Sequence, residues 1–261
     1  MPESVVILGS GNVSWHLAES FSLQGYDVLQ VYGRKKKDSF HFEDFRITEF
    51  ITEIEYINPT ADIYFLCVND DAIEEVISRL RFRLNENQII VHTSGALPST
   101  VLKPYCENYG CFWPVQTLTK GGKIISNEIP IVITASNEFT LASLLEMADQ
   151  ISSHFEVMND VQKSKLHLAA VMVNNFSNHL YSLTADFCKA EKIEFELLTS
   201  LIKETGLKLE KEHPSILQTG PAMRNDKRTI EKQLKILENH TLLYKLYCIF
   251  TDSIIQKYHK T

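Results

Sequence analysis

The 261-residue sequence lacks the features that mark secreted, membrane-bound and nucleic-acid-binding proteins. It has five cysteines and no CxxC pair, so we expect neither a disulfide scaffold nor a metal site. No run approaches the roughly 18 apolar residues of a membrane span, and no signal-peptide pattern follows Met1. The net charge of -7 disfavours general nucleic-acid binding, which needs a basic face. We therefore expect a cytoplasmic protein with reduced thiols that binds neither membranes nor nucleic acids.

The first part of the sequence alternates between two hydrophobic patterns. Short apolar runs rich in branched residues are separated by segments whose apolar residues recur at helical spacing. This alternation predicts an α/β fold: a doubly wound, mostly parallel sheet covered on both faces. The predicted strands are Val5–Leu8, Val28–Tyr32, Ile63–Val68, Ile89–His92 and Ile129–Thr134, with His154–Met158 at the edge. The predicted helices are Ser14–Leu23, Asp71–Leu80 and Glu138–Ser152.

The composition changes after Asp160, where no further run of that kind occurs. We therefore predict an α/β domain over residues 1–160 and an all-α domain over residues 161–261. The helical part is apolar enough to leave a face for a partner, and two-fold homodimers are the commonest soluble assembly, so we expect a homodimer. The predicted helices of this part are Val161–Lys192, Phe195–Lys211, Thr229–Glu238 and Leu242–Tyr258.

The first predicted strand ends in a glycine-rich turn that leads into a helix. The turn fits the G-x-G-x-x-G pattern of a Rossmann dinucleotide site, except that Ser14 takes the third position. The first glycine permits the tight turn and the second lets the backbone approach a pyrophosphate, whose charge the helix N-terminus attracts. The alternative is a plain glycine turn. The predicted cofactor-binding residues are Gly9, Ser10, Gly11, Asn12 and Val13.

The end of the second predicted strand indicates which dinucleotide binds. NAD sites usually have Asp or Glu there, bonded to the ribose hydroxyl. This sequence has Gly33, Arg34 and Lys35, followed by two more lysines. We interpret Gly33 as leaving room for a 2′-phosphate, and Arg34 as its ligand with Lys35 beside it. The pattern favours NADP(H); the alternative is a basic turn that only faces solvent.

Polar residues follow two further predicted strands, where a parallel sheet binds its ligands. We predict that Val68 and Asn69 contact the cofactor, although Asp70 could instead cap the next helix. We also predict that Ser94 takes part in catalysis and that Gly95 binds substrate, together holding a carboxylate or carbonyl group. The alternative at Ser94 is an ordinary turn that the serine caps.

The long helix predicted after Asp160 carries a polar stripe. Residues 168–173 are apolar, so we expect the middle of this helix to be buried. At about 100° per residue, His167, Asn174 and Asn178 point within about 40° of one another, and Asn175 about 80° from His167. The stripe faces either a substrate pocket or a structural network between helices. For the pocket, we predict His167 as the proton donor and Asn175 as the residue that orients the substrate.

The segment from Gln218 to Asp226 reads QTGPAMRND, an unusual composition for a simple connection between helices. We predict that Arg224 binds a substrate anion. The alternative is an ion pair between Arg224 and Asp226 that fixes the loop.

Six stretches of the sequence resemble one known family. The chain resembles the Rossmann-like NADP oxidoreductases with a C-terminal domain of unknown function, relatives of pyrroline-5-carboxylate reductase and the β-hydroxyacid dehydrogenases. The resemblance implies a Rossmann domain, a helical dimerisation domain and a cofactor site facing the cleft between them, but no substrate. Trp113 stands where the family leads us to expect His or Tyr, so we assign it no acid–base role. The stretches are ILGSGNVSWHLA, DIYFLCVNDDAI, VHTSGALPSTVL, CFWPVQTLTK, KLHLAAVMVNNF and LQTGPAMRNDKRTIEKQL.

Taken together, the motifs predict an NADP(H)-dependent oxidoreductase that transfers hydride to or from a small C=O or C=N substrate. One alternative is a non-catalytic NADP-binding sensor or regulatory protein. The other is an S-adenosylmethionine-dependent methyltransferase, a class that usually has an acidic residue where this chain has Arg34.

Overall fold

The computed structural model describes residues 3–45, 47–121 and 126–259. The chain divides into two compact units, one ending at Val171 and the other beginning at Met172. The expected domain boundary lies earlier, after residue 160. The first helix of the helical part belongs with the sheet because Leu166 and Ala170 pack against the buried cluster of Cys111, Trp113 and Val132.

The first unit is built on one eight-stranded sheet with the order β3-β2-β1-β4-β5-β6-β7-β8. All neighbouring pairs are parallel except β6 and β7. This is the mostly parallel, doubly wound sheet that the sequence predicts, so the fold-class prediction is confirmed. The strands are β1 (Ser4–Leu8), β2 (Asp27–Tyr32), β3 (Ile47–Ile51), β4 (Ile63–Leu66), β5 (Ile89–His92), β6 (Tyr109–Pro114), β7 (Ile131–Ala135) and β8 (Phe155–Val157).

Two strands, β3 and β6, are absent from the sequence-based prediction. The β3 strand lies at the edge of the sheet and reads ITEFI, so polar residues interrupt its apolar pattern. The β6 strand reads YGCFWP and contains no β-branched residue, although it is almost wholly buried. Burial between β5 and β7, rather than local propensity, makes it a strand.

Helices cover both faces of the sheet, as the side chains of β1 show. Val5 and Ile7 point into a core formed with α1 and α3, whereas Val6 and Leu8 point into a second core formed with α2. All four are fully buried, which is expected of a central parallel strand. The helices of this unit are α1 (Asn12–Leu23), α2 (Ile73–Ser78), α3 (Glu138–Ile151) and α4 (Asp160–Ala170).

The second unit is helical. The single long helix predicted from residue 161 to 192 instead consists of α4, a π-helical segment over Val171–Phe176, and α5. The expectation that its middle is buried is wrong for the single chain, because Leu168 is 59% exposed and Val173 is 73% exposed. The helices are α5 (Ser177–Ala190), α6 (Thr199–Leu209), α7 (Lys227–Ile236) and α8 (Thr241–His259). Within the described ranges, every helix is too short or too polar to cross a membrane.

Candidate active site

A crevice of about 290 Å³ opens at the carboxyl ends of β1, β2 and β4. Strands β2 and β3 are added on one side of β1, and β4 and the later strands on the other side. Doubly wound proteins bind their ligands at the point where the strand order reverses, here between β1 and β4. Six of the nine predicted cofactor-binding residues line the crevice: Gly9, Ser10, Gly11, Arg34, Val68 and Asn69. The other lining residues are Tyr32, Gly33, Ala72, Glu75, Val76 and Arg79.

The two glycines of the first turn differ in what surrounds them. Gly9 has a φ of +135°, and a Cβ there would stand 2.2 Å from the carbonyl oxygen of Cys67. Gly11 is the N-cap residue of α1 in an extended conformation, and a Cβ there has no described neighbour within 4 Å. Gly9 is therefore required by the fold itself. Gly11 keeps open the space from which a phosphate could approach the start of the helix, so the turn fits a dinucleotide.

Serine replaces the third glycine of the pattern without disturbing the packing. Ser14 is fully buried, and its hydroxyl lies 3.5 Å from the carbonyl oxygen of Cys67, to which it donates a long hydrogen bond. Small size and a nearby acceptor explain why a hydroxyl is accommodated here.

Gly33 does not leave an open space, contrary to our interpretation of the sequence. A Cβ at Gly33 would stand 2.5 Å from the ring of Phe50 and 2.7 Å from Cβ of Ser10. The absence of a side chain allows β2 to pack against β3 and the glycine turn. An acidic residue is thus excluded here by packing, and Arg34, which is exposed, is the residue that presents charge to the crevice.

The remaining predicted residues of the first turn and of the basic segment lie beside the crevice. Asn12 and Val13 are the first two residues of α1, and Val13 packs partly buried against the core. Lys35 is exposed and precedes the short 3₁₀ helix Lys36–Phe42. At the end of β4, Asn69 is the N-cap residue of another 3₁₀ turn, Asp70–Ala72, and no side chain caps that turn. The N-cap residue of the following helix, α2, is Ala72 and no side-chain cap is formed there, so the capping role considered for Asp70 is not formed.

Two charged side chains near the crevice do not follow from the sequence patterns. The Ser10 hydroxyl donates to Asp38 Oδ2 at 2.9 Å, which ties the glycine turn to the 3₁₀ helix after β2. Arg79, at the end of α2, pairs with Glu55 at 3.1 Å and Glu75 at 3.8 Å. The pKa of Arg79 is raised mainly by its hydrogen bond to Glu55. Neither residue belongs to a recognisable motif; only the fold brings them to the crevice.

The loop after β5 is fixed by hydrogen bonds. Ser94 Oγ accepts from the backbone N–H groups of Ala96 at 3.1 Å and Leu97 at 3.0 Å, so the turn-capping alternative for Ser94 is formed. The Ser94 N–H donates to His92 Nδ1 at 3.1 Å. His92 Nε2 must then carry the hydrogen, and it lies 3.3 Å from the Pro98 carbonyl oxygen.

His92 is neutral because it is buried. Burial is the main cause that lowers its pKa to about 4, and the nearby charge of Lys163 lowers it further. The buried thiols nearby are also held in their neutral form: burial raises the pKa of Cys67 and that of Cys111 to about 12. Near neutral pH these three groups do not gain or lose a proton, so we interpret them as structural groups and not as acid–base catalysts.

His167 lies against Gly95 and Trp113, all within the first unit. Its ring meets the Trp113 indole edge-on, with centroids 5.6 Å apart and an interplanar angle of 60°. A Cβ at Gly95 would stand 2.6 Å from Trp113 Cε2 and 2.7 Å from His167 Cδ2. The structure therefore brings together three of the residues that the sequence singled out: His167, Ser94 and Gly95.

One buried residue of this neighbourhood is not indicated by any sequence motif. Lys163 is only 1% exposed, although lysine is rarely buried, and its ammonium group contacts the loop that carries Ser94. Its sequence context, VQKSKL, gives no signal, because Lys163 and Lys165 are indistinguishable there.

Two predicted site residues lie in the second unit. Asn175 is exposed within the π-helical segment. Arg224 precedes α7, and its N–H donates to the Gly220 carbonyl at 3.2 Å. Asp226 caps α7 by accepting from the Thr229 N–H at 3.1 Å and the Thr229 hydroxyl at 2.7 Å. Those bonds are the main cause that lowers the pKa of Asp226, and the charge of Arg224 contributes less.

Comparison with known proteins identifies the class. A family described as NADP oxidoreductase coenzyme F420-dependent matches residues 4–95, and a domain of unknown function (DUF2520) matches residues 129–254. A crystal structure named as a putative NADP oxidoreductase from Bacteroides fragilis is 31% identical, with a TM-score of 0.88 over 98% of both chains. The chain belongs to this NAD(P)-binding family of NADP oxidoreductases with a DUF2520 domain, which confirms the resemblance seen in the sequence.

More distant proteins resemble the chain in structure or in part of the sequence. An imine reductase from Myxococcus stipitatus, in complex with NADP⁺, is 16% identical with a TM-score of 0.69, over 98% of this chain and all of that one. A glycerol-3-phosphate dehydrogenase [NAD(P)⁺] from Halothermothrix orenii is 28% identical over 127 residues. That match covers 41% of this chain and 37% of the dehydrogenase.

Proposed function

We propose that this protein is an NADP(H)-dependent oxidoreductase that transfers hydride to or from a small C=O or C=N compound. The observation that carries the proposal is the placement of His167 against Gly95, at the end of β5, on the sheet edge where the glycine turn also lies. A bound nicotinamide would donate or accept the hydride. The protein must then hold the substrate and exchange a proton with it.

The residues that line the crevice support the binding of NADP(H). Gly9 and Gly11 shape the turn for a pyrophosphate, and Val68 and Asn69 line the same crevice. Arg34 is exposed beside the crevice and has a planar fork suited to a 2′-phosphate. Packing around Gly33 leaves no place for the acidic residue that would prefer an unphosphorylated ribose.

The chemical half assigns a role to each residue at the end of β5. His167 is the proton donor, since imidazole is the side chain best suited to exchange a proton near neutral pH. Ser94 uses its oxygen to cap the turn, so its hydroxyl hydrogen is what it offers to a substrate oxygen or nitrogen. Gly95 has no side chain and so lets the imidazole of His167 approach the backbone beside the proposed substrate site. Asn175 and Arg224 belong to the second unit, and their roles in orienting a substrate and binding its anion stay predictions.

The test needs a substrate, so NADPH oxidation is first followed with a panel of aldehydes, keto acids, cyclic imines and coenzyme F420. With any active compound, we expect His167→Gln to lower turnover by roughly 10²- to 10⁴-fold, as for loss of a general acid. NADPH affinity, measured by calorimetry, should stay unchanged. His179→Gln is the matched control, because His179 is exposed on α5. Normal turnover by the His167 variant would refute its catalytic role.

Calorimetry separates the alternatives. If NADPH binds but no compound of the panel is reduced, the protein is better described as a non-catalytic NADP-binding sensor. If neither NADPH nor NADP⁺ binds, the cofactor half is wrong.

A further inference from the structure

Lys163 is a buried cation with no part in the function proposed above. It lies on α4 and is only 1% exposed. Burying an ammonium group carries a desolvation cost, so a lysine is kept in such a place only where its charge or its donors are used.

The ammonium group of Lys163 holds the loop after β5. Nζ donates to the carbonyl oxygen of Ser94 at 3.2 Å and makes a second, close contact with the carbonyl oxygen of Leu97. Both acceptors belong to the turn that the Ser94 hydroxyl caps. One side chain of α4 therefore joins two points of this turn.

A second charged residue of the same helix holds the end of the loop. Asp160 accepts from the Ser99 N–H at 2.7 Å and from the Ser99 hydroxyl at 2.9 Å. Its other contact is with Lys163, at 3.6 Å. Lys163 and Asp160 carry opposite charges that compensate each other. Together they connect α4 to both ends of the segment from Ser94 to Ser99.

The held segment includes the glycine that touches His167. Lys163 and His167 are four residues apart on α4, so their side chains lie on the same face. The contact of Gly95 with His167 and Trp113 is too tight to admit a methyl group. A small release of the loop would change the position of Gly95 relative to the imidazole.

We propose that Lys163 is a positioning residue, whose ammonium group fixes the Ser94–Leu97 turn against α4 and so sets the place of His167 over Gly95. Anchoring of the turn stands on these contacts alone. The effect on catalysis rests on the proposed function.

The anchoring is tested without a substrate by comparing Lys163→Met with Lys165→Met, whose lysine is exposed on the same helix. Amide hydrogen exchange is followed by mass spectrometry in the peptide that contains residues 94–99. We expect at least about tenfold faster exchange in the Lys163 variant, the factor expected for a lost hydrogen bond to a charged group. Exchange equal to that of the Lys165 variant would overturn the proposal.

Trp113 provides a second readout. The protein has two tryptophans, so a Trp15→Phe background leaves only Trp113 emission. We expect Lys163→Met to change the intensity of that emission, because the quenching imidazole beside the indole shifts. An unchanged emission would contradict the proposed effect on His167.

Lys163→Met leaves the partly buried Asp160 carboxylate without its cation and can fail to fold for that reason alone. The double variant Lys163→Met, Asp160→Asn removes both charges and keeps an acceptor for Ser99. It should fold and still show the faster exchange. A double variant that folds with native exchange in residues 94–99 overturns the proposal.

Catalytic measurements distinguish the failure of this proposal from that of the proposed function. With an active substrate, we expect Lys163→Met to lower kcat while NADPH affinity stays the same. Lower kcat with native loop exchange would make Lys163 a reacting group instead of an anchor. Faster loop exchange in a protein that reduces no substrate would support the anchor and count against the proposed function.

Discussion

The imidazole of His167 meets the indole of Trp113 edge-on, with their ring centroids 5.6 Å apart. This geometry gives Trp113 a role that its position in the sequence does not suggest. The imidazole lies between the Trp113 indole and the backbone of Gly95. Trp113 need not exchange protons to matter here, because it restricts where the histidine can point.

The tight contact at Gly95 predicts a stability effect. A methyl group there would stand 2.6 Å from Trp113 and 2.7 Å from His167, so both rings must move. We expect Gly95→Ala to lower the free energy of unfolding by about 1–3 kcal/mol, as for overpacking of a core. Urea denaturation measures it, with Gly206→Ala as the control, because a methyl group there has no described neighbour within 4 Å. A Gly95→Ala protein as stable as the native one would show that the rings yield freely.

The two glycines of the first turn should respond in opposite ways to the same substitution. Gly11→Ala has room in the protein and a compatible backbone, so the free energy of unfolding should stay close to native. Its methyl group would stand where the pyrophosphate is expected, so NADPH affinity should fall. Gly9→Ala should be strongly destabilised, because its φ of +135° alone costs about 1–3 kcal/mol and the methyl group meets Cys67.

Calorimetry and urea denaturation on both variants test this pair of expectations. A Gly11→Ala protein that binds NADPH with native affinity would show that the pyrophosphate does not bind at this turn.

Arg34 should determine the preference between the two dinucleotides. We expect NADPH to bind more tightly than NADH, and Arg34→Glu to weaken NADPH by about 10- to 100-fold while NADH changes little. The factor follows from losing one hydrogen bond between charged groups, worth about 1.5–3 kcal/mol. Lys103→Glu makes the same change of charge at an exposed position and serves as the control. Equal calorimetric affinity of the native protein for NADPH and NADH would refute the assignment.

His92 should make the stability depend on pH. Its pKa is about 4 in the folded protein, against about 6.5 in the unfolded chain, so the unfolded chain binds more protons between these values. The stability due to neutral His92 is complete above about pH 6.5 and is lost as the pH falls towards 4, by roughly 3 kcal/mol in total.

His92→Gln keeps a donor for the Pro98 carbonyl but cannot titrate. The difference in unfolding free energy between the native protein and this variant should therefore change with pH between about 6.5 and 4. Urea denaturation at several pH values measures the difference, and a constant difference would contradict the shifted pKa.

The exposed apolar residues around the π-helical segment predict a homodimer. Met172 is 56% exposed, Val173 73% and Phe176 60%, and all three lie within one five-residue stretch of the chain. Such a patch is unusual on a monomer, and a second copy of the chain would cover it. We expect light scattering to give twice the monomer mass at micromolar concentration, and Val173→Glu to shift it towards the monomer. A monomer mass for the native protein would refute this.

The parts of the fold that the sequence predicts are those that local chemistry controls. Apolar periodicity located β1, β2, β4 and β5, and the glycine spacing located the crevice. The β6 strand was missed because burial between its neighbours, and not its residues, makes it a strand. The interpretation of Gly33 was wrong because the ring of Phe50 fills the space that a side chain at position 33 would occupy. Phe50 belongs to the neighbouring strand β3, so sequence near Gly33 does not indicate it.

The candidate site likewise contains residues that the sequence indicates and residues that only the structure reveals. Ser94, Gly95 and His167 belong to motifs and could be singled out, but the contact between His167 and Gly95 depends on how α4 packs on the sheet. Lys163 could not be distinguished from Lys165 by sequence, because only the structure shows which of the two faces the loop. The apolar residues after His167 predict a surface that packs against another part of the protein. Periodicity does not distinguish packing within the same chain from packing against a second copy of the chain.

Gly11 is the N-cap residue of α1 but has no side chain to cap the helix, and the first turn of α1 carries no acidic residue. A dinucleotide phosphate at this end would therefore supply what capping side chains supply elsewhere. Folding and cofactor supply then become linked: at a free concentration of 100 times the Kd, binding adds about 2.7 kcal/mol to the stability of the folded chain. The lifetime of this protein in the cell would follow the size of the dinucleotide pool, whether or not a substrate is present.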